Sequence, residues 1–300
     1  MKLIKIIVLR TAGTNCDVET AYAFRLASTK LKLKAEVDVI HINKLIQKKI
    51  FLNDYHILAI PGGFSYGDDI AAGKILANEL KFMLKDELIK FVQSQRLVIG
   101  ICNGFQVLVS TGILPGHMGT VPTHFRGYPV FEKEGQHPTS LGTRFSSSKF
   151  FQQTAALTFN DSNKFEDRWV YLKSKSKKCI FTKGIDSKII YLPVAHGEGK
   201  FVTLNRSILN DIIKEDLVVF EYVDERGIKT GYPGNPNGSL YNIAGICNKT
   251  GNVLGLMPHP ERHITKYTHP RWTREDLPDE GDGLTIFKNA LAYIRGGSNK

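Results

Sequence analysis

Cys102 stands where the sequence could place a reactive thiol. A short apolar run rich in β-branched residues, Leu97–Ile101, leads into this cysteine, and the spacing of an amphipathic helix begins directly after it. Gly100 and Gly104 let the backbone fold closely beneath the thiol, as in the strand–turn–helix of a nucleophile elbow. Backbone N–H groups at the helix start would stabilise a thiolate and a developing oxyanion. The pattern predicts a cysteine nucleophile; the alternative is a buried cysteine that only packs.

Such a nucleophile needs a base, usually a histidine held by a third group. Two segments offer such a histidine at the end of an apolar strand, each followed two residues later by a glutamate. They are His196 with Glu198, and His259 with Glu261. Prolines on both sides of His259 fix its backbone, as a general base requires, whereas the glycine after His196 suits a loop near the site. Residue chemistry favours His259 oriented by Glu261 and leaves His196 as the alternative base. The alternative role for Glu261 is a surface ion pair with Arg262.

A glycine pair provides a second candidate element of the site. Gly62 and Gly63 lie in the polar loop Pro61–Asp69, which follows a short apolar strand. Adjacent glycines let backbone N–H groups point into a site, so this loop and the N–H of Asn103 are predicted to form an oxyanion hole. The alternative is an ordinary glycine turn after a strand.

The tetrapeptide around Cys102 has a second copy at Gly245–Asn248. There Cys247 leads into Lys-Thr-Gly-Asn, which is typical of a hairpin turn and has no helical periodicity after it. Cys247 is therefore predicted to be structural.

The elements that position these residues alternate along the first part of the chain. Strands are predicted at Lys5–Arg10, Ala35–Ile42, Ile57–Ile60 and Leu97–Ile101, and helices at Asp17–Leu31, Ile70–Ser94 and after Cys102. This alternation predicts an α/β fold with a doubly wound, mostly parallel sheet, in which the glycine loop and Cys102 share one rim. Later segments predict an antiparallel extension with two helices: strands Ala155–Asn160, Arg168–Lys173, Ile189–Ala195, Leu217–Val223, Asn242–Cys247 and Val253–Met257, helices Arg206–Lys214 and Leu284–Ile294.

Length and composition favour one domain. The chain has 300 residues with 42% hydrophobic content, enough for a full core. Residues 1–300 are predicted to form one domain with loop insertions at 111–148 and 267–283, where regular patterns lapse. His117, His124 and His137, in the first insertion, lack metal-ligand spacing and are predicted to be surface residues.

Charge and cysteine usage limit the location and the partners. The formal charge is +11, but the lysines are mostly scattered and no nucleic-acid-binding motif is present, so no nucleic-acid partner is expected. An acidic protein partner or anionic small molecules explain the charge equally well. The four cysteines show no paired spacing that indicates zinc or a redox dithiol, so no metal and a reducing, cytoplasmic location are predicted. No apolar run is long enough to span a bilayer, so no membrane association is expected.

Several motifs together resemble a known family. They are Pro-Gly-Gly-Phe-Ser-Tyr-Gly-Asp (61–68), Gly-Ile-Cys-Asn-Gly-Phe-Gln (100–106) and Pro-His-Pro-Glu-Arg (258–262), with Thr11–Thr20, Val194–Phe201 and Gly283–Ile294 in support. This set is similar to the class I (triad) glutamine amidotransferases of flavodoxin-like fold, and more narrowly to the glutaminase subunits of phosphoribosylformylglycinamidine synthases.

The resemblance implies a role for each matching residue. It makes Cys102 the nucleophile, His259 the base and Glu261 its orienting partner, and so decides between the two histidines. It further implies that Gly63 and Asn103 supply the oxyanion N–H groups, and that Gly62, Phe64 and Gln106 belong to the glutamine pocket.

The resemblance also implies a reaction and partners. The chain would hydrolyse L-glutamine to glutamate and ammonia, and pass the ammonia to a PurL-like synthase subunit that converts formylglycinamide ribonucleotide to formylglycinamidine ribonucleotide in purine synthesis. ATP and Mg²⁺ are expected on that subunit, because this chain has no Walker-type phosphate loop and no predicted cofactor of its own. A small PurS-like subunit is a further expected partner. Two alternatives stay open: a triad glutaminase that serves a different synthase, and a non-catalytic binding module on the same fold.

Overall fold

A computed structural model describes residues 3–68, 71–116, 118–119, 150–185 and 188–297. In chain order the strands are β1 Ile4–Arg10, β2 Ala35–His41, β3 Ile57–Ile60, β4 Leu97–Ile101, β5 Met118–Gly119, β6 Phe150–Phe151, β7 Ala155–Thr158, β8 Glu166–Ser174, β9 Ile189–His196, β10 Lys200–Thr203, β11 Val218–Val223, β12 Ile243–Cys247 and β13 Val253–Leu256. The helices are α1 Asp17–Lys30, α2 Ile42–Ile46, α3 Lys74–Met83, α4 Lys85–Gln93, α5 Asn103–Ser110, α6 Arg206–Lys214 and α7 Leu284–Gly296. No helix in the described ranges is both long and apolar enough to cross a membrane.

Nine strands form one sheet in the order β2-β1-β3-β4-β13-β12-β11-β8-β9. The first five of these run parallel, and the last four continue the sheet with antiparallel pairing. Every residue of β3, β4 and β13 is buried, as expected for parallel strands that are covered on both faces. The prediction of a doubly wound, mostly parallel sheet with an antiparallel extension is confirmed.

The direction of winding reverses between β1 and β3. The chain moves from β1 to β2 on one side and from β3 to β4 on the other, so right-handed crossovers place the connecting helices on opposite faces. On one face α1 packs against α7, with the Phe24 and Phe287 ring centroids 4.9 Å apart at 84°. On the other face α3 packs against α5. In open α/β sheets, ligands bind beyond the carboxyl ends of the strands at such a reversal, and the loops after β1 and β3 meet there.

Two predicted elements differ from the structure. The single long helix predicted at Ile70–Ser94 is wrong, because the chain leaves helical geometry at Leu84 (φ −124°) and forms α3 and α4. The Leu84 side chain is buried there, so the break places one more apolar group in the core. The strand predicted at Ala155–Asn160 forms as β7 but pairs only with β10, in a separate two-stranded sheet. Its position lets β10 bring Phe201 onto Phe105 of α5, with ring centroids 6.2 Å apart.

Of the two predicted insertions, the structure describes 267–283 completely and 111–148 only in part. Residues 267–283 form neither a helix nor a strand beyond the short 3₁₀ turn Lys266–Thr268 and a bridge between Thr265 and Glu280. Most of 111–148 lies outside the described residues, and so do His117, His124 and His137.

Candidate active site

Cys102 occupies a strained turn between β4 and α5. Its backbone has φ 51° and ψ −106°, in the positive-φ region that non-glycine residues rarely adopt. A Cβ added at Gly104 would stand 1.9 Å from the Ile60 carbonyl oxygen, so only glycine lets α5 approach β3 this closely. The first hydrogen bond of the helix runs from Phe105 N to Cys102 O (2.9 Å). The N–H of Asn103 precedes this bond and is one of the N-terminal N–H groups that have no partner within the helix. The thiol therefore stands at the open N-terminus of a helix.

His259 and Glu261 form a buried pair next to this turn. The His259 Nδ1 and Glu261 Oε1 atoms are 2.6 Å apart, and both residues are at most 3% exposed. The His259 backbone N–H donates to Pro193 O of β9 (2.8 Å), and Glu261 lies in the 3₁₀ turn Pro260–Arg262. The buried Nε2 of His259 has no hydrogen-bond partner among the described residues, so this ring atom is not occupied by another protein group.

The charges around His259 favour its protonated form. Burial alone lowers the pKa of His259, but the Glu261 carboxylate and then the charge of the Cys102 thiolate outweigh it, and the pKa lies well above its ordinary value of 6.5. Because the folded-state pKa is raised, this pairing stabilises the fold fully below pH 6.5 and loses its contribution as the pH rises through the raised value. The protonated imidazolium is thus the favoured form of His259 near neutral pH.

We expect His259 to titrate above pH 6.5 in the wild-type protein and at a lower pH in Glu261→Gln. The substitution removes the carboxylate charge that raises the pKa of His259, whereas burial of the ring continues to lower it. The measurement is an NMR titration of the His259 ring Cε1–H signal, assigned by its loss in His259→Ala. A wild-type midpoint below 6.5, or a midpoint unmoved by Glu261→Gln, would show that the carboxylate does not control the charge of this ring.

The loop after β1 fixes the predicted oxyanion loop. Gly63 has φ 138°, a conformation that favours glycine, and a Cβ there would stand 2.7 Å from Asn15 N. The N–H of Phe64 donates to Gly13 O (2.9 Å), and the N–H of Cys16 donates to Gly62 O (3.3 Å). The loop that ends at Cys16 therefore holds the backbone of the glycine pair in place, a role that sequence reasoning missed.

Side chains behind the elbow connect three loops. Asn103 Oδ1 accepts a hydrogen bond from the Ser65 hydroxyl, while Asn103 Nδ2 donates to Asp68 Oδ1 (3.1 Å) and Gln106 Oε1 (2.9 Å). Gln106 Nε2 in turn donates to the backbone carbonyl of Glu198 (2.6 Å). The side-chain amide of Gln106, which is predicted to belong to the glutamine pocket, is thus bonded within the protein at both ends.

Four of the eight predicted site residues line one cleft of about 170 Å³, and Asn103, Gln106 and Glu261 do not. Gly63, Phe64, Cys102 and His259 line it. Gly62 is buried beside it, where a Cβ would stand 2.7 Å from His259 Cε1, so it permits a close approach of the ring. The structure therefore brings the predicted nucleophile, base and glycine loop together.

Five further residues line the cleft and were not predicted to: Asn15, Cys16, Phe165, Ala195 and Arg262. The Phe165 and Phe64 rings stack at the cleft with centroids 6.4 Å apart and are each about half exposed. The Ala195 carbonyl oxygen is 3.6 Å from Cys102 Sγ. Four of these residues lie inside the family-like motifs Thr11–Thr20, Val194–Phe201 and 258–262, which gave them no individual role, and Phe165 lies outside every motif.

Cys16, His259 and Glu261 are the group within the described ranges whose side chains could reach one metal ion, with ligand atoms within 4.8 Å of one another. Arg262 Nη2, however, lies 3.1 Å from Cys16 Sγ, and its positive charge opposes a cation at that sulfur. His259 and Glu261 are already bonded to each other. The arrangement suits a charge-paired proton-transfer dyad better than a metal centre.

Comparison with known proteins places this geometry in a family. The family model for the CobB/CobQ-like glutamine amidotransferase domain matches residues 4–294. The phosphoribosylformylglycinamidine synthase subunit PurQ of Dehalococcoides mccartyi is 44% identical over 297 residues, covering 98% of this chain and 99% of that protein. The PurQ subunit of Archaeoglobus fulgidus is 41% identical over 302 residues and covers 97% of both. A chain in the structure of PurLQS from Thermotoga maritima aligns with TM-score 0.65 and 28% identity, over 98% of this chain and 100% of that one. The chain belongs to the glutamine amidotransferase family that includes these PurQ subunits.

Proposed function

We propose that this chain is the glutaminase subunit of a phosphoribosylformylglycinamidine synthase, in which Cys102, His259 and Glu261 hydrolyse L-glutamine to glutamate and ammonia. One observation carries the proposal: Cys102 lies on a strained turn at a helix N-terminus and lines the same cleft as His259, which is paired with the buried Glu261. A thiol, a base and an orienting carboxylate are the parts that acyl transfer through a covalent intermediate requires.

The first half of the reaction forms a thioester. The Cys102 thiolate attacks the side-chain amide carbon of glutamine, and the carbonyl π electrons move to oxygen to give a tetrahedral oxyanion. We assign the N–H groups of Gly63 and Asn103 as the donors to this oxyanion. Gly63 lies in the glycine loop, which the segment ending at Cys16 holds in place, and Asn103 is the first residue of α5. His259 Nε2 protonates the departing nitrogen, the C–N bond breaks, and ammonia leaves a glutamyl thioester on Cys102.

The second half releases glutamate. His259, now neutral, takes a proton from water, whose oxygen attacks the thioester carbon. The C–S bond of the second tetrahedral intermediate breaks and returns the Cys102 thiolate beside an imidazolium. Glu261 stays ionised throughout and stabilises the charged ring.

The names of the relatives point to the partners. The PurQ relatives are subunits of phosphoribosylformylglycinamidine synthase, and the Thermotoga maritima structure is of a PurLQS complex. We therefore propose a PurL-like synthase subunit as the acceptor of the ammonia, with ATP and Mg²⁺ bound there, and a small PurS-like subunit as a third component. Residues 1–300 are proposed as one domain, in line with the family match over 4–294. The four free cysteines support the cytoplasm as the proposed location.

The test is a coupled assay with the purified chain. Glutamate release is measured with glutamine alone, and again after a PurL-like subunit, a PurS-like subunit, ATP, Mg²⁺ and formylglycinamide ribonucleotide are added. We expect formylglycinamidine ribonucleotide to form in step with glutamate in the complete mixture. Glutamate release without this product would indicate a different synthase, and the absence of both would contradict the proposed function.

A further inference from the structure

Asn160 lies buried behind the cleft and uses every hydrogen-bonding position of its side-chain amide. It is 2% exposed. Its Nδ2 donates to the carbonyl oxygens of Lys164 (2.9 Å) and His196 (2.8 Å), and its Oδ1 accepts from Gly199 N (3.0 Å) and faces His196 Nδ1 (3.1 Å). An amide has two donor hydrogens and two acceptor lone pairs, so this side chain is fully satisfied.

These bonds join two segments that are adjacent in sequence to cleft-lining residues. One segment is the turn that ends at Phe165, whose ring lines the cleft. The other segment is the loop 196–199, which directly follows the cleft-lining residue Ala195 and whose Glu198 carbonyl accepts from Gln106 Nε2 (2.6 Å). The backbone N–H of Asn160 also donates to Gly197 O (3.0 Å), so this one residue fixes the two segments against each other.

His196 is held as a neutral ring at the start of the loop 196–199. With Nδ1 donating to Asn160, its Nε2 faces the side-chain amide of Asn237 (3.4 Å), which also donates to the Tyr222 hydroxyl (3.2 Å). Burial, followed by the positive charge of His259, lowers the pKa of His196 to about 3, so the ring stays uncharged near neutral pH. A Cβ at Gly199 would stand 2.3 Å from His196 Cε1, so glycine is needed where the loop closes over the ring.

We propose that Asn160, through His196, is a positioning residue that sets the shape of the glutamine pocket by holding the loop 196–199 and the Phe165 turn together. This inference rests on the proposed glutaminase function and deepens it. It assigns a role to the Val194–Phe201 motif, which the catalytic reaction itself does not use.

The test is the isosteric change Asn160→Asp, which replaces a two-hydrogen donor by an oxygen that faces two carbonyls. The chain offers a matched control in Asn252, which is fully buried, donates to Val92 O (2.9 Å) and Arg96 O (2.8 Å), and lies away from the cleft. Both variants should lower the melting temperature. Only Asn160→Asp should raise KM for glutamine, while its kcat should stay within about threefold of the wild-type value. The expected rise in KM is about tenfold, which corresponds to the loss of about one net hydrogen bond.

A second readout does not depend on turnover. Alkylation of Cys102 by iodoacetamide is followed by mass spectrometry with and without glutamine, and the glutamine concentration that half-protects the thiol reports pocket occupancy. It should rise about tenfold in Asn160→Asp and stay unchanged in Asn252→Asp, in line with the KM change. If Asn160→Asp does not fold, Asn160→Ser, which leaves room for a water, is measured in the same way.

The possible outcomes separate the two claims. Equal KM and protection values in the Asn160 and Asn252 variants would overturn the positioning role and make Asn160 a purely structural residue. A wild-type protein that neither hydrolyses glutamine nor is protected by it would defeat the proposed function instead. In that case the alkylation rate without glutamine still tests Asn160, because a displaced Phe165 or Ala195 wall changes access to the thiol, and unchanged rates would overturn the positioning role.

Discussion

Cys102→Ala will lower glutamate release from glutamine by at least about a thousandfold while the fold is retained, because the proposed reaction passes through a bond to this sulfur. The side chain lost is small and stands at the cleft, so little packing is removed with it. Alanine also keeps the φ of 51° no more strained than cysteine does. Glutamate release in the assembled complex is the measurement, with circular dichroism as the check on folding.

Cys247→Ala is the matched control for this variant. Cys247 sits in the same Gly-Ile-Cys-Asn tetrapeptide, but it is the last residue of β12, a turn follows it, and it does not line the cleft. We expect Cys247→Ala to lose some stability and to keep its kcat. A folded Cys102→Ala protein that hydrolyses glutamine at the wild-type rate would refute the nucleophile assignment, and equal losses in both variants would indicate a general folding defect.

His259→Ala will reduce kcat by roughly 10²- to 10⁴-fold, the usual contribution of a general acid–base. His196→Ala will keep kcat within about tenfold and act mainly on KM, since the proposed role of His196 is to hold the loop 196–199, and its ring nitrogens are engaged by Asn160 and Asn237. The two histidines are both at most 3% exposed, so burial does not distinguish them and the comparison isolates their chemistry. Steady-state kinetics with glutamine as the varied substrate provide the measurement.

The reverse ranking of the two variants would restore His196 as the base. It would also conflict with the environment of His196, where burial and the nearby charge of His259 keep the pKa near 3. Such a ring could not donate a proton to departing ammonia near neutral pH. Melting temperatures of both variants guard against reading a loss of folded protein as a loss of catalysis.

The elements that carry the site could be predicted because their signals are local. The apolar run before Cys102 and the glycines beside it predicted a strand, a tight turn and a closely packed helix. The structure shows this close packing, because a Cβ added at Gly104 would stand 1.9 Å from the Ile60 carbonyl oxygen. The alternation of strands and helices predicted a parallel sheet, and a parallel sheet brings the ends of β1, β3 and β4 to one rim.

Other features could not be predicted, because they depend on contacts between distant segments. Asn160 ends the strand predicted at Ala155–Asn160, and nothing in that pattern indicates that it is buried against a loop 36 residues further along the chain. Cys16 gave no pairing signal, although folding brings its sulfur within 3.1 Å of Arg262 Nη2. The break at Leu84 also lacks a glycine or proline marker. In each case tertiary packing decides, and no periodicity in the sequence reports it.

The covalent intermediate provides the most direct test of the central claim. The assembled complex is mixed with ¹⁴C-labelled glutamine, quenched in acid during turnover and digested, and the labelled peptide is identified by mass spectrometry. We expect a hydroxylamine-sensitive glutamyl group on the peptide that contains Cys102, and none in Cys102→Ala. Label on a different residue, or equal label in Cys102→Ala, would contradict it.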